Sequence, residues 1–216
     1  MKVHVVDERK REIREPYVVR MGGWTLERYL AESPDNARWE YVRGEVIMYS
    51  PATAEHQRLV GFLYRLLQGY CEAKGWGEVL TGPAAVQLAP EVVREPDVFI
   101  LAPEDALRAK GAPLPLRPVL VVEVISPSTR SLDLGEKAHD YAEAGVPEYW
   151  AVDPQRKEFY LHRPVGEGEY RVQTLSEGKV ESAAVPGLWM WVDWLWRSPL
   201  PAVAPCLEEV LRRHER

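Results

Sequence analysis

The sequence predicts an α/β (α+β) fold, because segments with strand composition are interspersed with segments whose apolar residues recur at helical spacing. The run over residues 119–125 is rich in β-branched residues, which is typical of a central strand covered on both faces. The segment that follows Thr53 instead has a helical apolar stripe. We therefore expect one domain over residues 1–216, with an N-terminal extension of about 1–23 and a Trp-rich C-terminal segment of about 187–216.

Composition and charge narrow the class of protein. The 27 basic and 33 acidic residues give a net charge of -6, which argues against a dedicated polyanion-binding module, so any nucleic-acid contact requires a local basic patch. Two distant cysteines make a disulfide framework implausible and favour a reducing compartment. The absence of a signal-type or membrane-length apolar run predicts a cytoplasmic protein with no membrane partner. The 20 arginines against 7 lysines fit a thermophile, although genomic base composition produces the same bias.

The first half of the chain contains two predicted helices and a hairpin. Thr25 is the expected N-cap of a short helix in which Leu26, Tyr29 and Leu30 share a face. Strands at 39–42 and 45–49 flank Arg43-Gly44, which predicts a hairpin. A long helix is expected between a Thr53 cap and a Gly75 stop. Its predicted core stripe consists of His56, Leu59, Val60, Leu63, Leu67 and Tyr70 or Cys71.

The remaining elements follow from turn residues and periodicity. A meander of strands is expected at 77–81, 84–88 and 97–101, and Pro103 begins a short helix of two turns. After the 119–125 strand, an amphipathic helix over about 131–144 ends at Gly145. Strands at 148–152 and 158–163 form a second hairpin, and a terminal helix is expected from about 205 to 213.

Two carboxylates are the strongest candidates for chemistry. Glu123 lies inside the apolar 119–125 strand, where an ionised carboxylate requires a partner or a metal. Asp97 begins the preceding long strand, and pairing of the two strands would bring the carboxylates together. Such a pair offers the hard oxygen ligands that Mg²⁺ prefers. The structural alternative, which the two residues alone favour, is that Asp97 caps a turn and Glu123 pairs with an arginine.

Lys137 strengthens the functional interpretation. Leu134, Lys137 and Tyr141 recur at helical spacing, so the ammonium leaves the apolar face of its helix and can reach the end of the Glu123 strand. A lysine there can stabilise negative charge that develops on a phosphate. The alternative is that Lys137 snorkels along the helix or forms a salt bridge to Glu123 without a role in catalysis.

Three further residues have weaker signals. His56 lies on the core stripe of the long helix, and considered alone it fits a structural histidine better than a functional one. Glu40 and Glu45 flank the first hairpin and are each able to lend an oxygen to the same site. Both also fit solvated strand positions, which is the preferred interpretation of Glu45.

Three segments in the same order resemble the Uma-two family of restriction-endonuclease-like proteins, within the PD-(D/E)xK nuclease superfamily. They are EYVRGEVIMYSPATAEHQRLVGFL, REPDVFIL and VVEVISPSTRSLDLGEKAHDYAEAGVPEYWAVDP, which together extend from about Trp39 to Pro154. The resemblance implies a restriction-endonuclease-like mixed sheet flanked by helices, with a metal-dependent phosphodiesterase site. It further implies that Asp97 and Glu123 are metal ligands, with the main-chain carbonyl of Val124 as a third.

The sequence departs from the superfamily pattern at one position. The pattern has a lysine two residues after the glutamate, where this chain has Ile125, and the resemblance implies that Lys137 has taken over its role. The resulting hypothesis is a Mg²⁺- or Mn²⁺-dependent nuclease. A catalytically silent binding or assembly protein of the same fold is the alternative. A glycosidase that uses Asp97 and Glu123 is a third and weaker possibility, because it leaves Lys137 unexplained.

The expected partners are nucleic acid, with DNA favoured over RNA, and further copies of the chain. Candidate phosphate contacts are Arg58, Arg65, Arg94 and Arg130. Four tryptophans within 187–196 predict a homodimer or higher homo-oligomer, because tryptophan is enriched at interface hot spots. The alternative, with equal weight, is that they close the core of their own chain.

Overall fold

Two β-sheets with helices packed on them dominate the computed structural model, which describes residues 16–34 and 37–212. The strands are β1 Val18–Gly22, β2 Trp39–Val42, β3 Glu45–Tyr49, β4 Glu78–Thr81, β5 Val86–Ala89, β6 Val92–Arg94, β7 Val98–Leu101, β8 Leu120–Val124, β9 Glu148–Asp153, β10 Glu158–Gly166, β11 Glu169–Leu175, β12 Lys179–Glu181 and β13 Trp189–Trp191. The helices are α1 Leu26–Glu32, α2 Ala54–Lys74, α3 Pro103–Ala106, a π-helix Leu132–Lys137 that continues into α4 Ala138–Glu143, a 3₁₀-helix Val192–Trp196 and α5 Val203–Arg212.

The six-stranded sheet positions both candidate carboxylates. Its order is β11-β10-β9-β8-β7-β4, with β8 and β9 parallel and the other neighbours antiparallel. Val98 of β7 pairs with Val122 of β8, so the same register places Asp97 across from Glu123. All residues of β7 and β8 are buried, which confirms the prediction of a central strand around Glu123.

The five-stranded sheet contains the predicted hairpin. Its order is β1-β3-β2-β6-β5, and all of its neighbouring strands are antiparallel. Arg43 and Gly44 turn the chain between β2 and β3 with φ of 48° and 87°. A positive φ at both positions suits the right-handed twist of a tight hairpin. The hairpin places Glu40 on β2 at a fully buried position.

The long helix α2 forms as predicted. The Thr53 side chain accepts a hydrogen bond from the His56 amide, and Gly75 ends the helix in the left-handed conformation. Its apolar face packs against one face of the six-stranded sheet together with the C-terminal segment. The first turn of α2 lies close to the start of β7, where His56 contacts Asp97.

The helix predicted over about 131–144 differs from expectation in its first half. Leu132–Lys137 is a π-helix, and only Ala138–Glu143 is α-helical, before Gly145 with φ of 69°. π-helical segments widen the helix locally and are often found at functional sites. Here the segment directs Asp133 and Lys137 inward, and both are buried.

Several predictions about elements were wrong. The middle strands do not form a meander, because β4 and β7 belong to the six-stranded sheet whereas β5 belongs to the other one. The strand β6 was not predicted, and α3 has one turn instead of two. Leu30 was predicted to share the buried face of α1, but it is 49% exposed, whereas Tyr29 is buried.

The ends of the chain also depart from expectation. Part of the predicted N-terminal extension is the edge strand β1, which pairs with β3; residues 1–15 of the extension lie outside the described residues. The terminal helix begins at Val203, two residues earlier than predicted, and the predicted end at residue 213 lies outside the described range.

The Trp-rich segment mostly packs inside its own chain. Trp189 and Trp194 are each 3% exposed and belong to the core that contains α2. Trp191 and Trp196 are half-buried, and their indole N–H groups donate to Glu209 and to the Ser176 carbonyl. These tryptophans therefore pack mainly within their own chain, as the alternative predicts, and the homo-oligomer stays a prediction.

None of the helices in residues 16–34 and 37–212 combines the length and apolar character needed to span a lipid bilayer.

Candidate active site

The two carboxylates meet at a single arginine, Arg38. This residue immediately precedes β2, and its Nη1 lies 2.8 Å from Asp97 Oδ1 while its Nη2 lies 3.1 Å from Glu123 Oε2. Nη2 also donates to the Glu95 carbonyl at 2.7 Å. The side chains of Asp97 and Glu123 are 6% and 1% exposed, whereas that of Arg38 is 26% exposed. One partly exposed cation therefore bridges two buried carboxylates.

Lys137 contacts the other oxygen of Glu123. Its Nζ lies 2.8 Å from Glu123 Oε1, 3.2 Å from Asp133 Oδ1 and 3.4 Å from Glu40 Oε1. The Tyr141 hydroxyl donates to the same Glu123 oxygen at 2.8 Å. The side chain of Lys137 is 1% exposed, so it does not snorkel to solvent. Lys137 thus reaches Glu123, in the salt bridge that both interpretations of this residue allowed, and its role in catalysis stays a prediction.

His56 and Val124 complete the surroundings of Asp97. His56 Nε2 lies 3.2 Å from Asp97 Oδ2, and its Nδ1 is buried without a hydrogen-bond partner among the described residues. The Val124 amide donates to the same Asp97 oxygen at 2.7 Å. Val124 therefore contacts Asp97 through its N–H group, whereas the resemblance implied a role for its carbonyl. His56 belongs to the site and to the core stripe at once.

The two carboxylates have opposite pKa shifts. Burial raises the pKa of Glu123 to about 7 and the nearby Asp97 adds to the rise, although Lys137 and Arg38 oppose it. Burial also acts to raise the pKa of Asp97, but Arg38 and His56 outweigh it and hold that pKa below its ordinary range. Burial lowers the pKa of His56, and contact with Asp97 reverses this into a net rise. Asp97 is therefore the firmly ionised member of the pair.

Glu40 belongs to a second cluster, which is centred on Arg94 and lies next to the first cluster of Arg38, Asp97 and Glu123. Arg94 Nη1 donates to Glu40 Oε2 at 2.7 Å, and Arg94 Nε donates to Asp140 Oδ2 at 3.0 Å. Arg43 Nη2 donates to the other oxygen of Asp140 at 2.7 Å. Burial acts to raise the pKa of Glu40, but Lys137 and Arg94 lower it to about 2. Glu40 is linked to the site through Lys137 and through Tyr49, whose hydroxyl donates to Glu40 Oε2 and whose side chain borders the cavity.

The prediction that Arg94 contacts nucleic acid was wrong. Its side chain is 0% exposed, because β6 is covered and its guanidinium is held between Glu40 and Asp140. The half-buried Arg130 pairs with Asp153 at 3.1 Å. Its phosphate contact stays a prediction.

The two arginines on α2 and the carboxylate of the hairpin are at the surface. Arg58 and Arg65 are exposed, so they remain available for phosphate contacts. Glu45 pairs with Arg20 at the surface. This position agrees with the interpretation of Glu45 as a solvated residue.

A cavity of about 300 Å³ opens over the carboxylate pair. Its wall includes the acidic and basic residues of the site together with a Ser-Pro-Ser-Thr loop that follows β8. The residues of the site that border it are Arg38, His56, Asp97, Glu123, Asp133 and Lys137. The first cluster is therefore accessible to a small ligand, whereas Arg94 and Glu40 are not part of this wall.

Arg38 and Asp133 were not among the predicted site residues. Arg38 is a single arginine in a loop, and no local pattern connects it with residues 59 and 85 positions away. Asp133 had a usable signal, because an aspartate four residues before a lysine on a helix pairs with it.

The ligands that the site offers decide whether it suits a divalent cation. Among residues 16–34 and 37–212, no group of three or more His, Cys, Asp or Glu side chains is arranged to hold a metal ion. Mg²⁺ in proteins, however, is commonly held by one or two carboxylates, with water and phosphate as the other ligands. Asp97 Oδ1 and Glu123 Oε2 face neighbouring nitrogens of the Arg38 guanidinium, so two hard oxygens lie on one cationic group. The residues present therefore fit a Mg²⁺ or Mn²⁺ ion that replaces the guanidinium.

Comparison with known proteins identifies the family. Residues 25–194 match the Uma2 family model, described as "Putative restriction endonuclease", and the chain belongs to this family. A crystal structure titled as a putative nuclease belonging to DUF820 from Anabaena variabilis has the same fold. It is 14% identical with a TM-score of 0.67, and the match covers 80% of this chain and 97% of that one. No curated protein matches the chain. The predicted family and restriction-endonuclease-like fold are thereby confirmed.

Proposed function

We propose that the protein is a Mg²⁺- or Mn²⁺-dependent nuclease that hydrolyses phosphodiester bonds, with DNA as the favoured substrate. The observation that supports this most strongly is the convergence of Asp97 and Glu123 on one cationic position at the wall of an open cavity. Two desolvated carboxylates at an accessible cavity are what phosphodiester hydrolysis with a hard metal ion requires. Family membership supports the same reaction class.

Asp97 and Glu123 would hold the metal ion through the oxygens that now face Arg38. The bound metal would supply a nucleophilic water and neutralise negative charge on the phosphate. The Val124 N–H and His56 keep Asp97 in place through its other oxygen. Tyr141 and Lys137 do the same for Glu123. Each ligand is thus oriented by its neighbours, as is usual for residues that hold metals.

Lys137 would also stabilise the transition state of the reaction. Its ammonium balances Glu123, Asp133 and Glu40, and it borders the cavity where a phosphate would lie. A fixed positive charge in a buried setting stabilises negative charge that develops on the phosphate in the transition state. Arg38, when displaced from the carboxylates, would add a partly exposed guanidinium that can bind phosphate in a bidentate manner.

A catalytically silent binding or assembly protein is the second candidate. The observation in its favour is that Arg38 and Lys137 already neutralise Asp97 and Glu123 without a metal. If Arg38 holds its position permanently, the site is an ion-pair network with a structural role.

A cleavage assay with matched variants tests the proposal. Wild-type protein is incubated with single-stranded and duplex DNA and RNA in Mg²⁺, in Mn²⁺ or in EDTA. We expect metal-dependent cleavage that Asp97→Asn and Glu123→Gln abolish while circular dichroism shows that they fold. Glu104→Gln, an exposed carboxylate on α3, serves as the control and should cleave like wild type. Cleavage that survives Asp97→Asn would reject the assignment.

A further inference from the structure

A second cavity of about 590 Å³ adjoins the one above the carboxylates. The two cavities share the side chains of Arg38, Tyr49 and Asp97 and the short segment 50–52. A phosphodiester placed in the first cavity therefore has its neighbouring nucleoside within reach of the second. Its volume lies within the roughly 300–1,000 Å³ that small-molecule pockets typically have.

The lining of the second cavity suits a flat aromatic ring. Apart from the shared Arg38 and Asp97, none of the described lining residues has a charged side chain. Tyr64 and Val60 of α2 contribute aromatic and apolar surface, and Gln57 contributes an amide. Nucleobases are bound by this combination, in which an aromatic side chain stacks on the base and a few polar groups contact its edge.

Gly61 leaves space in this wall. It lies in the interior of α2, where glycine is about 1 kcal/mol less favourable than alanine. A Cβ added at Gly61 would meet no heavy atom within 4 Å, so packing inside the chain does not require the glycine. Gln57, Gly61 and Tyr64 are spaced four and three residues apart and therefore lie on one face of the helix. The open face of α2 thus has the form of one side of a ligand pocket.

We propose that this second cavity binds one unstacked nucleobase of the nucleic-acid substrate, next to the phosphate that is cleaved. This inference rests on the proposed nuclease function and adds a substrate class to it. A base inside a regular duplex is paired and stacked and does not reach a lateral pocket unless it leaves the helix. The preferred substrate is therefore single-stranded or locally unpaired nucleic acid, with Tyr64 stacking on the base.

The test either adds a side chain to the second cavity or removes its aromatic ring. Binding and cleavage of nucleic acid are then both measured. Gly61→Leu places a branched side chain in the cavity and Tyr64→Ala removes the ring. Tyr64→Phe is the conservative variant that keeps the ring, and Glu104→Gln on α3, outside both cavities, is the control. Fluorescence polarisation with a labelled single-stranded oligonucleotide is measured in EDTA, and KM and kcat are measured with Mn²⁺. We expect Gly61→Leu and Tyr64→Ala to weaken binding and raise KM about tenfold, as loss of base stacking does, with a smaller change in kcat. Glu104→Gln should stay within about twofold of wild type, and Tyr64→Phe should bind more tightly than Tyr64→Ala because it keeps the stacking ring.

The outcomes separate the two proposals. If folded Gly61→Leu binds and cleaves like wild type, the nucleobase site is rejected while the nuclease function stands. If the oligonucleotide binds in a way that Gly61→Leu weakens but no variant or wild type cleaves it, the nuclease proposal fails and the base-binding cavity is supported. Tighter binding of duplex than of single strands would also reject the preference for unstacked bases.

Discussion

The two arginine-centred clusters of this protein have similar composition and opposite accessibility. Arg94 joins Glu40 and Asp140 with all three side chains at most 1% exposed. Arg38 joins Asp97 and Glu123 beside a cavity and is itself 26% exposed. Lys137 connects the clusters, because it contacts both Glu40 and Glu123. Buried carboxylates are thus common to both clusters, and a partly exposed counter-ion and an open cavity distinguish one cluster from the other.

The difference has a physical basis in desolvation. Arg94 cannot leave Glu40 and Asp140 without burying its own charge elsewhere and depriving both carboxylates of their shared guanidinium, which is unfavourable by several kcal/mol. Arg38 is partly exposed and borders both cavities, so water or a phosphate that enters them would be able to take over its hydrogen bonds. We therefore assign a structural role to the Arg94 cluster and the proposed metal site to the Arg38 cluster.

The largest expected effect is on stability. Arg94→Met should lower the free energy of unfolding by about 3–5 kcal/mol, because Glu40 and Asp140 lose their shared buried cation. Arg38→Met should lower it by only about 1–2 kcal/mol, because its carboxylates border a cavity that water can enter. Urea unfolding at neutral pH measures both. Equal losses in the two variants would remove the distinction between the clusters.

The closed cluster should also govern stability in acid. The pKa of Glu40 is lowered from its ordinary value of 4.5 to about 2, so its stabilisation is complete above pH 4.5 and is lost as the pH falls through 2. The whole contribution corresponds to about 3 kcal/mol. Glu40→Gln should remove this contribution and flatten the fall in unfolding free energy between pH 4.5 and 3, as measured by urea titration at several pH values. An unchanged slope would show that Glu40 is not held ionised by Lys137 and Arg94.

The connecting residue should affect both stability and catalysis. Lys137→Met should reduce kcat about 100-fold, by analogy with the loss of one electrostatic stabiliser of a transition state. It should also destabilise the fold, because it leaves Glu123, Asp133 and Glu40 without their shared ammonium. Kinetics therefore has to be measured where unfolding curves show a folded protein. If folded Lys137→Met cleaves at the wild-type rate, Lys137 is purely structural.

The smallest expected effect concerns competition at the open cluster. Arg38→Met removes the cation that occupies the proposed metal position, so Mn²⁺ should bind about tenfold more tightly than in wild type, as a like charge nearby opposes its binding. Calorimetric titration of the metal-free protein measures this. Weaker binding in Arg38→Met would indicate that Arg38 orients the carboxylates for the metal and does not compete with it.

The sequence was sufficient to predict the elements that local signals define. Helix α2 follows from the Thr53 cap, the Gly75 stop and a long apolar stripe, and the first hairpin follows from its turn residues. Division of the middle strands between two sheets was not predictable, because short apolar strands contain no information about which sheet they join.

The candidate site was predictable only in part, for a similar reason. Lys137 and Glu123 come together because the strand and the following helix are adjacent in sequence. Arg38 and Arg94 differ in role although each is a single arginine near a strand end, and only their tertiary partners decide which is buried. The π-helix was likewise not predictable, since the residues of 132–137 have no distinct π-helical pattern.

The most direct test of the central claim is a calorimetric Mn²⁺ titration of the metal-free protein and its Asp97→Asn variant. The claim is that the open pair of Asp97 and Glu123 holds a divalent cation in place of Arg38. We expect one Mn²⁺ ion per chain for wild type and for the surface control Glu104→Gln, and loss of that ion in folded Asp97→Asn. Failure of folded wild type to bind Mn²⁺, or undiminished binding by Asp97→Asn, would contradict the claim.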